Sequence, residues 1–282
     1  MARVLKPQPQ MSPIAEEYAA TVMTLSKIVR DQSRTVLDIA YGSEEAQGLD
    51  LYLPESDAAG ALPVLMFIHG GGWRNGYKEW MGFMAPAITC LPAIFVSVGY
   101  RLAPEAKFPL PVEDCRNAVR WVYDNIAEHG GDPNRLFVGG HSAGGHLAAL
   151  ITLEAGSWSG VGLPADVIKG CFPVSGAFDF SDRERESAII GSADDVGPAS
   201  PINHVSGNTV PFFIAIGEND MPDLVRQAPA MADALRPQPG AVEIAEFEGC
   251  DHFKISVDSG DVDGLWATTV RRWMASPPRA QG

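Results

Sequence analysis

Residues 135–154 read RLFVGGHSAGGHLAALITLE, a stretch whose apolar first half predicts a buried strand and whose second half predicts a helix. Between the two halves, Gly140 and Gly144 flank Ser142. Such glycines let the backbone turn sharply without Cβ clashes, so the serine hydroxyl is left exposed at the end of the strand. The helix that follows directs free N–H groups towards developing negative charge. This context favours a nucleophilic serine over a simple small-residue helix cap.

A second glycine-rich stretch, HGGGW at 69–73, follows directly on the apolar run PVLMFI at 63–68. Residues without side chains allow a substrate carbonyl to approach the main chain. The N–H groups of Gly71 and Gly72, with that of Ala143, are therefore candidate oxyanion-hole donors, each contributing about 2.7–4 kcal/mol. A phosphate cradle is disfavoured because no Lys-Ser/Thr pair follows these glycines. An ordinary glycine-rich loop after a strand is the remaining alternative.

Strand-like and helix-like patterns alternate along most of the chain, which predicts one α/β domain with a mostly parallel sheet. We expect this domain to cover 35–275, after an N-terminal segment at 1–34 and before a flexible tail at 276–282. The N-terminal segment contains one amphipathic helix, a candidate cap. A stretch at 176–208 lacks periodicity and is a second candidate for shaping the substrate site. The predicted strands lie at 36–41, 49–54, 63–68, 93–98, 135–140, 168–174, 211–217 and 242–247.

Composition narrows the function classes. The chain has 282 residues, 46% apolar and 20% charged, which excludes a disordered or fibrous protein. Acidic residues outnumber basic ones by 35 to 21, and the net charge of −14 disfavours binding to nucleic acid or to a membrane surface. Four scattered cysteines without a CxxC pair predict neither a metal site nor a disulfide scaffold. With no apolar run of membrane-spanning length and no signal-peptide pattern, we expect a soluble cytoplasmic protein.

Several longer motifs together resemble the hormone-sensitive-lipase-type esterases, a branch of the α/β-hydrolases. They are the glycine loop, the serine elbow, GYRLAPE at 99–105 and DPNR at 132–135. The resemblance implies an α/β-hydrolase fold: a mostly parallel central sheet flanked by helices, with a small N-terminal and insertional cap. It also implies cleavage of a small carboxylic ester through an acyl-enzyme, without a cofactor. A homodimer is compatible with the sequence.

In α/β-hydrolases the catalytic groups follow one another in the order serine, acid, histidine. His252 is the histidine that follows the last predicted strand, so it is the predicted base for Ser142. The acid is expected after the strand at 211–217, where Asp220 is our choice. Asp223, which could instead cap a helix, and Glu218 remain open as alternatives.

The segments that carry the predicted acid and base are also similar to the kynurenine formamidases. These segments are GENDMP at 217–222 and DHFKI at 251–255. An arylformamidase with the same catalytic residues is therefore the first alternative. A kynurenine carboxylate would need a cationic partner, and Arg74 is a candidate; Trp73 and His141 are further candidate substrate-binding residues. A non-catalytic ligand receptor on a hydrolase scaffold is a more remote alternative, and so is a peptidase.

Overall fold

The computed structural model of the chain describes residues 5–55, 61–154, 156, 158–181 and 189–278. Within these residues, eight strands form one sheet: β1 (Arg34–Ala40), β2 (Gly48–Leu53), β3 (Leu62–Ile68), β4 (Ile94–Val98), β5 (Gly131–His141), β6 (Ile168–Val174), β7 (Phe212–Gly217) and β8 (Val242–Phe247). The α-helices are α1 (Pro13–Gln32), α2 (Ala85–Thr89), α3 (Leu110–Asn125), α4 (Ala143–Leu153), α5 (Val196–Ala199), α6 (Pro222–Leu235), α7 (Lys254–Asp258) and α8 (Leu265–Ala275).

The strand order in the sheet is β1-β2-β4-β3-β5-β6-β7-β8. The first two strands pair antiparallel, and β2 is antiparallel to β4. The six strands β3 to β8 run parallel to one another. The predicted fold class, a mostly parallel sheet flanked by helices, is confirmed. Because the carboxyl ends of parallel strands lie at one edge of a sheet, the loops after β3, β5, β6, β7 and β8 meet there.

Each face of the sheet is covered by its own apolar core. Along β3, Val64, Met66 and Ile68 face one core, whereas Leu65 and Phe67 face the other. Helices α3, α4 and α6 cover the first face, and α1, α2 and α8 cover the second. This alternation is the period of two expected of a strand that is buried on both sides.

The N-terminal helix forms as predicted, but the apolar residues at helical spacing in its sequence, Ile14, Tyr18, Val22, Leu25 and Val29, are not all buried. Tyr18, Val22 and Ser26 are buried, while Ile14 is 54% exposed and Leu25 is 36% exposed. Residues four apart lie on one face of a helix, so the buried stripe follows the i, i+4, i+8 series. Ser26, the polar residue of this buried stripe, is hydrogen-bonded: its Oγ donates to the Trp80 carbonyl and accepts from the Phe83 N–H.

The segment before this helix is bound to the loop that follows the glycine-rich stretch. The Gln8 side-chain amide makes two hydrogen bonds of 2.7 Å with the Gly76 backbone, and Asn75 Nδ2 donates to the Pro9 carbonyl at 2.7 Å.

The predicted domain boundaries at 34 and 275 stay a prediction. Of the predicted tail, 279–282 lie outside the described residues. Within the described ranges, no helix combines the length and the apolar character needed to cross a membrane.

Candidate active site

Ser142 occupies a strained turn between β5 and α4. Its φ of 56° and ψ of −118° lie in a region that non-glycine residues rarely adopt. Its N–H donates to the Val174 carbonyl of the neighbouring strand at 2.8 Å. Strain of this kind costs about 1–3 kcal/mol and persists where surrounding structure enforces it. The backbone therefore has the geometry that the glycine-flanked serine motif predicts.

The glycines around Ser142 are required by close backbone packing. A Cβ on Gly140 would lie 2.3 Å from the carbonyl group of Gly144, and a Cβ on Gly144 would lie 2.0 Å from the Ile68 carbonyl oxygen. Neither contact can be relieved by rotating a side chain. The first turn of α4 can therefore pass the end of β3 only if it carries no side chain there.

This packing predicts that Gly144→Ala destabilises the protein by about 3 kcal/mol or more, the upper range for overpacking. Gly197→Ala is the matched control, because a Cβ at Gly197 in α5 meets nothing within 4 Å. We expect the control to stay within about 1 kcal/mol of the parent. Urea unfolding monitored by circular dichroism measures both free energies; equal stability of the two variants would contradict the close approach of α4 to β3.

The three residues predicted as nucleophile, base and acid lie in one hydrogen-bonded chain. Ser142 Oγ donates to His252 Nε2 at 2.9 Å, and His252 Nδ1 donates to Asp220 Oδ1 at 2.7 Å. The same carboxylate oxygen accepts the Met221 N–H at 2.6 Å, and Oδ2 accepts the Ser175 hydroxyl. A proton on Nδ1 leaves Nε2 free to accept the serine proton.

The loops after β7 and β8 are joined by hydrogen bonds, and they bring the Asp220 carboxylate and the His252 imidazole together. Asp220 follows β7 and His252 follows β8, and these strands are parallel neighbours. The Asn219 N–H donates to the Cys250 carbonyl at 2.9 Å, and the Gly249 N–H donates to Glu218 Oε2 at 2.7 Å. His252 thus meets Ser142, 110 residues away in sequence, and Asp220, 32 residues away, at one edge of the sheet.

The other acidic candidates have different surroundings. The Glu218 carboxylate is exposed and binds the loop backbone at Gly249. Asp223 lies in the first turn of α6 rather than at its N-cap, which is Met221. A further acid, Asp251, directly precedes His252 in sequence, and its Oδ1 accepts the N–H groups of Phe253 and Lys254 at the start of α7.

Electrostatics at the site keep the acid charged and a second histidine neutral. Burial tends to raise the pKa of Asp220, but the hydrogen bonds from His252, Ser175 and Met221 outweigh it and hold that pKa below its usual value. Burial, with the nearby His252, lowers the pKa of His141 to about 3. His141 Nε2 donates to the His252 carbonyl at 2.8 Å, and the two rings lie 4.8 Å apart. His141 therefore supports the loop of His252 as a neutral ring.

The glycine-rich loop lies directly against the serine elbow. A Cβ on Gly70 would lie 3.1 Å from Ser142 Cβ, and Gly71 and Gly72 have φ of 106° and 61°. Across the described residues, the N–H groups of Gly71, Gly72 and Ala143 donate no hydrogen bond to another protein group. These N–H groups are therefore available to a ligand, and their role as oxyanion donors stays a prediction.

The three predicted substrate-binding residues have three different environments. Arg74 is exposed at the rim of the cavity beside Ser142. His141 lines the cavity but is buried, with Nε2 bonded to the protein. Trp73 lines it as well, yet its indole N–H donates to His146 Nδ1 at 3.1 Å, so only the ring is presented to a ligand.

The cavity at Ser142 has a volume of about 330 Å³, and its apolar lining comes from both hydrophobic cores. The core on the α4 side of the sheet contributes Trp73, Ala177, Ile189 and Leu224. The core on the α1 side and the residues packed against it contribute Met11, Tyr18, Trp80 and Phe253. A largely apolar cleft with a few polar groups is the usual form of a small-molecule site.

Sequence reasoning missed two buried residues at this site. Ser175 follows β6 and binds the carboxylate of Asp220. His146 joins the glycine loop to the 176–208 stretch, since it accepts from Trp73 and its Nε2 donates to the Ala199 carbonyl at 2.8 Å. No sequence motif marks Ser175, although its place at a strand end could have been noticed. His146 lies in the elbow motif, one turn after Ser142.

Two family models match the chain. The model of the prolyl oligopeptidase family matches residues 109–276, and a model described as BD-FAE matches residues 49–161. Kynurenine formamidase of Danio rerio is 28% identical over 262 residues, covering 88% of this chain and 85% of that protein. Esterase LipC of Mycobacterium tuberculosis is 31% identical over 221 residues, covering 70% of this chain but 54% of its relative. The chain thus spans about half the length of the mycobacterial esterase.

Solved structures share the fold over nearly the whole chain. The carboxylesterase EstE1, cloned from a metagenomic library, superposes with a TM-score of 0.72 at 24% identity, covering 92% of this chain and 97% of its own. An esterase from Pyrobaculum calidifontis gives a TM-score of 0.74 at 23% identity, covering 95% and 98%. Both likenesses show the fold.

Together these findings confirm the predicted resemblance to hormone-sensitive-lipase-type esterases and kynurenine formamidases, and with it the predicted enzyme class, a carboxylic ester hydrolase. The chain belongs to the prolyl oligopeptidase family and is a serine-type hydrolase of the α/β-hydrolase fold.

Proposed function

We propose that the protein cleaves small carboxylic esters with Ser142 as nucleophile, His252 as general base and Asp220 as the acid that orients the imidazole. The observation that carries this assignment is the hydrogen-bonded chain Ser142–His252–Asp220, with distances of 2.9 and 2.7 Å, at the edge of an apolar cavity. The geometry meets the requirement that base and nucleophile lie within hydrogen-bond reach and that a third group orients the base.

In the first half of the reaction, Ser142 Oγ attacks the ester carbonyl carbon and its proton passes to His252 Nε2. The carbonyl oxygen becomes an oxyanion, which the N–H groups of Gly71, Gly72 and Ala143 stabilise. Collapse of this intermediate breaks the ester C–O bond, and His252 gives its proton to the leaving alkoxide. Water then attacks the acyl-enzyme by the reverse sequence, releasing the carboxylic acid and free Ser142.

The apolar lining of the cavity favours an ester over a formamide. A formyl group carries only hydrogen on its carbonyl carbon, so a dedicated formamidase needs apolar space on the leaving-group side alone. Here residues of both cores line the cavity, Ala177 and Ile189 from one core and Tyr18 and Phe253 from the other. We therefore expect room for an alkyl or aryl group on each side of the reacting carbonyl.

The second candidate function is hydrolysis of an arylformamide, and one observation favours it specifically. Arg74 is exposed at the cavity rim, two residues after Gly72, where it could bind the carboxylate of an N-formylkynurenine-like substrate. Two relatives are named kynurenine formamidases. An exposed arginine also serves simply to keep a surface hydrated, so the substrate preference has to be measured.

We expect kcat/KM for p-nitrophenyl butyrate to exceed that for N-formylkynurenine. If Arg74 binds a carboxylate, Arg74→Ala lowers activity on the formamide, and Arg74→Lys, which keeps the charge, retains more of it. Both variants and the parent are compared on both substrates. A hundredfold preference of the parent for N-formylkynurenine, lost in Arg74→Ala, would overturn the ester assignment in favour of the formamide.

A further inference from the structure

The acid of the candidate triad has a partner outside the three residues. Ser175, the first residue after β6, is fully buried and lines the cavity. Its hydroxyl donates to Asp220 Oδ2, while Oδ1 accepts from His252 and from the Met221 N–H. Each carboxylate oxygen is therefore held by a donor, and the carboxylate cannot rotate without losing at least one hydrogen bond.

The backbone at Ser175, like that at Ser142, has a positive φ. Its φ is 51°, a left-handed conformation that glycine adopts without cost and that other residues rarely adopt. Its N–H donates to the Ala215 carbonyl of β7 at 2.8 Å, which holds the turn in place. Ser175 thus carries a side chain at a position where glycine would relieve the strain, and its only polar side-chain atom, Oγ, contacts Asp220.

We propose that Ser175 is a positioning residue for catalysis, which holds the carboxylate of Asp220 in the orientation that serves His252. This inference rests on the proposed function, because Ser175 acts through Asp220. Consistent with it, the Ser175 hydroxyl is one of the groups that hold the pKa of Asp220 below its usual value. Ser175 transfers no proton and touches no reacting atom in this role.

Two variants separate the hydroxyl from the backbone. Ser175→Ala removes the hydroxyl and keeps the strained φ, whereas Ser175→Gly removes the hydroxyl and relieves the strain. We expect both to lower kcat on p-nitrophenyl butyrate by about 10- to 100-fold with little change in KM, the scale of one hydrogen bond to a charged group. Ser175→Gly should unfold at a higher temperature than Ser175→Ala, although the two share the kinetic defect.

The pH profile gives a signature that a merely structural role would not produce. Without the Ser175 donor, the negative charge of the Asp220 carboxylate is shared with one hydrogen bond fewer, so it stabilises a protonated His252 ring more strongly. The acidic limb of kcat/KM should therefore move to higher pH. His141 packs against His252 but stays neutral through this range, because its pKa is about 3. Asp251, adjacent to His252, keeps its bonds to the α7 backbone.

The control for loss of a buried serine is Ser97→Ala. Ser97 is equally buried, and its hydroxyl donates to the Lys78 carbonyl away from the triad. We expect this variant to keep the parent kcat and pH profile. If Ser175→Gly is folded and changes kcat by less than threefold with an unmoved acidic limb, the proposed role of Ser175 is wrong.

A double mutant distinguishes failure of this inference from failure of the proposed function. If Ser175 acts through Asp220, then Ser175→Gly costs little further activity in the Asp220→Asn background. A large loss in Asp220→Asn with none in Ser175→Gly removes the role of Ser175 and leaves the triad intact. No loss in Asp220→Asn removes Asp220 as the acid, and with it both the proposed triad and the role of Ser175.

Discussion

Ser142→Ala should abolish hydrolysis, with kcat lowered by about a million-fold, the scale known for loss of a triad nucleophile. The substitution removes the Oγ that donates to His252 Nε2 and that would form the acyl-enzyme. It opens no core cavity, because Ser142 is partly exposed at its turn. The variant should therefore fold like the parent, since alanine meets the same backbone strain as serine at a φ of 56°.

The measurement is hydrolysis of p-nitrophenyl butyrate by Ser142→Ala and by the parent, with circular dichroism as the test of folding. Preparations must be free of host esterase, because a trace of contaminant would dominate at such low rates. An organophosphate should label the parent at Ser142 and leave the variant unlabelled, as read by peptide mass spectrometry. Activity within tenfold of the parent, or an adduct at another residue, would exclude Ser142 as nucleophile. Inactivity of the parent towards all esters and formamides tested would favour the ligand-receptor alternative.

Asp220→Asn should lower kcat by about ten-thousand-fold. An amide in place of the carboxylate cannot accept the His252 Nδ1 proton as strongly, and it favours the imidazole tautomer that carries its proton on Nε2. In that tautomer Nε2 can no longer accept the proton of Ser142. KM should change much less than kcat, because the Asp220 carboxylate is not among the groups that line the cavity.

Asp223→Asn is the matched control for Asp220→Asn, because it makes the same change three residues further along the chain. Asp223 lies in the first turn of α6, where an acidic side chain interacts favourably with the helix dipole. Its loss should cost less than about 1 kcal/mol of stability and leave kcat near that of the parent. If Asp223→Asn were the inactive variant and Asp220→Asn the active one, the acid would be misassigned by three residues while the fold and Ser142 would stand.

Short-range patterns in the sequence were enough to predict the strands near the site and the serine elbow. The run at 63–68 is β3 from its second residue onward, and the run at 242–247 coincides with β8. Both glycine stretches could be interpreted locally, because the geometry of a tight turn depends on the residues within it. β5 is longer than predicted, since it begins at Gly131, where the pairing of Leu62 with Gly131 extends it.

The sequence by itself determined the fold class, the elbow at Ser142, the glycine loop and the residue now proposed as base, and it limited the acid to Asp220, Asp223 or Glu218. These follow from local propensity, from hydrophobic periodicity and from the order of motifs along the chain. Only the tertiary structure decided which carboxylate binds His252, why Trp73 has no free indole N–H, and that Ser175 completes the environment of Asp220. Those contacts join positions 32, 73 and 45 residues apart, and their geometry depends on how parallel strands align their ends at one edge of the sheet.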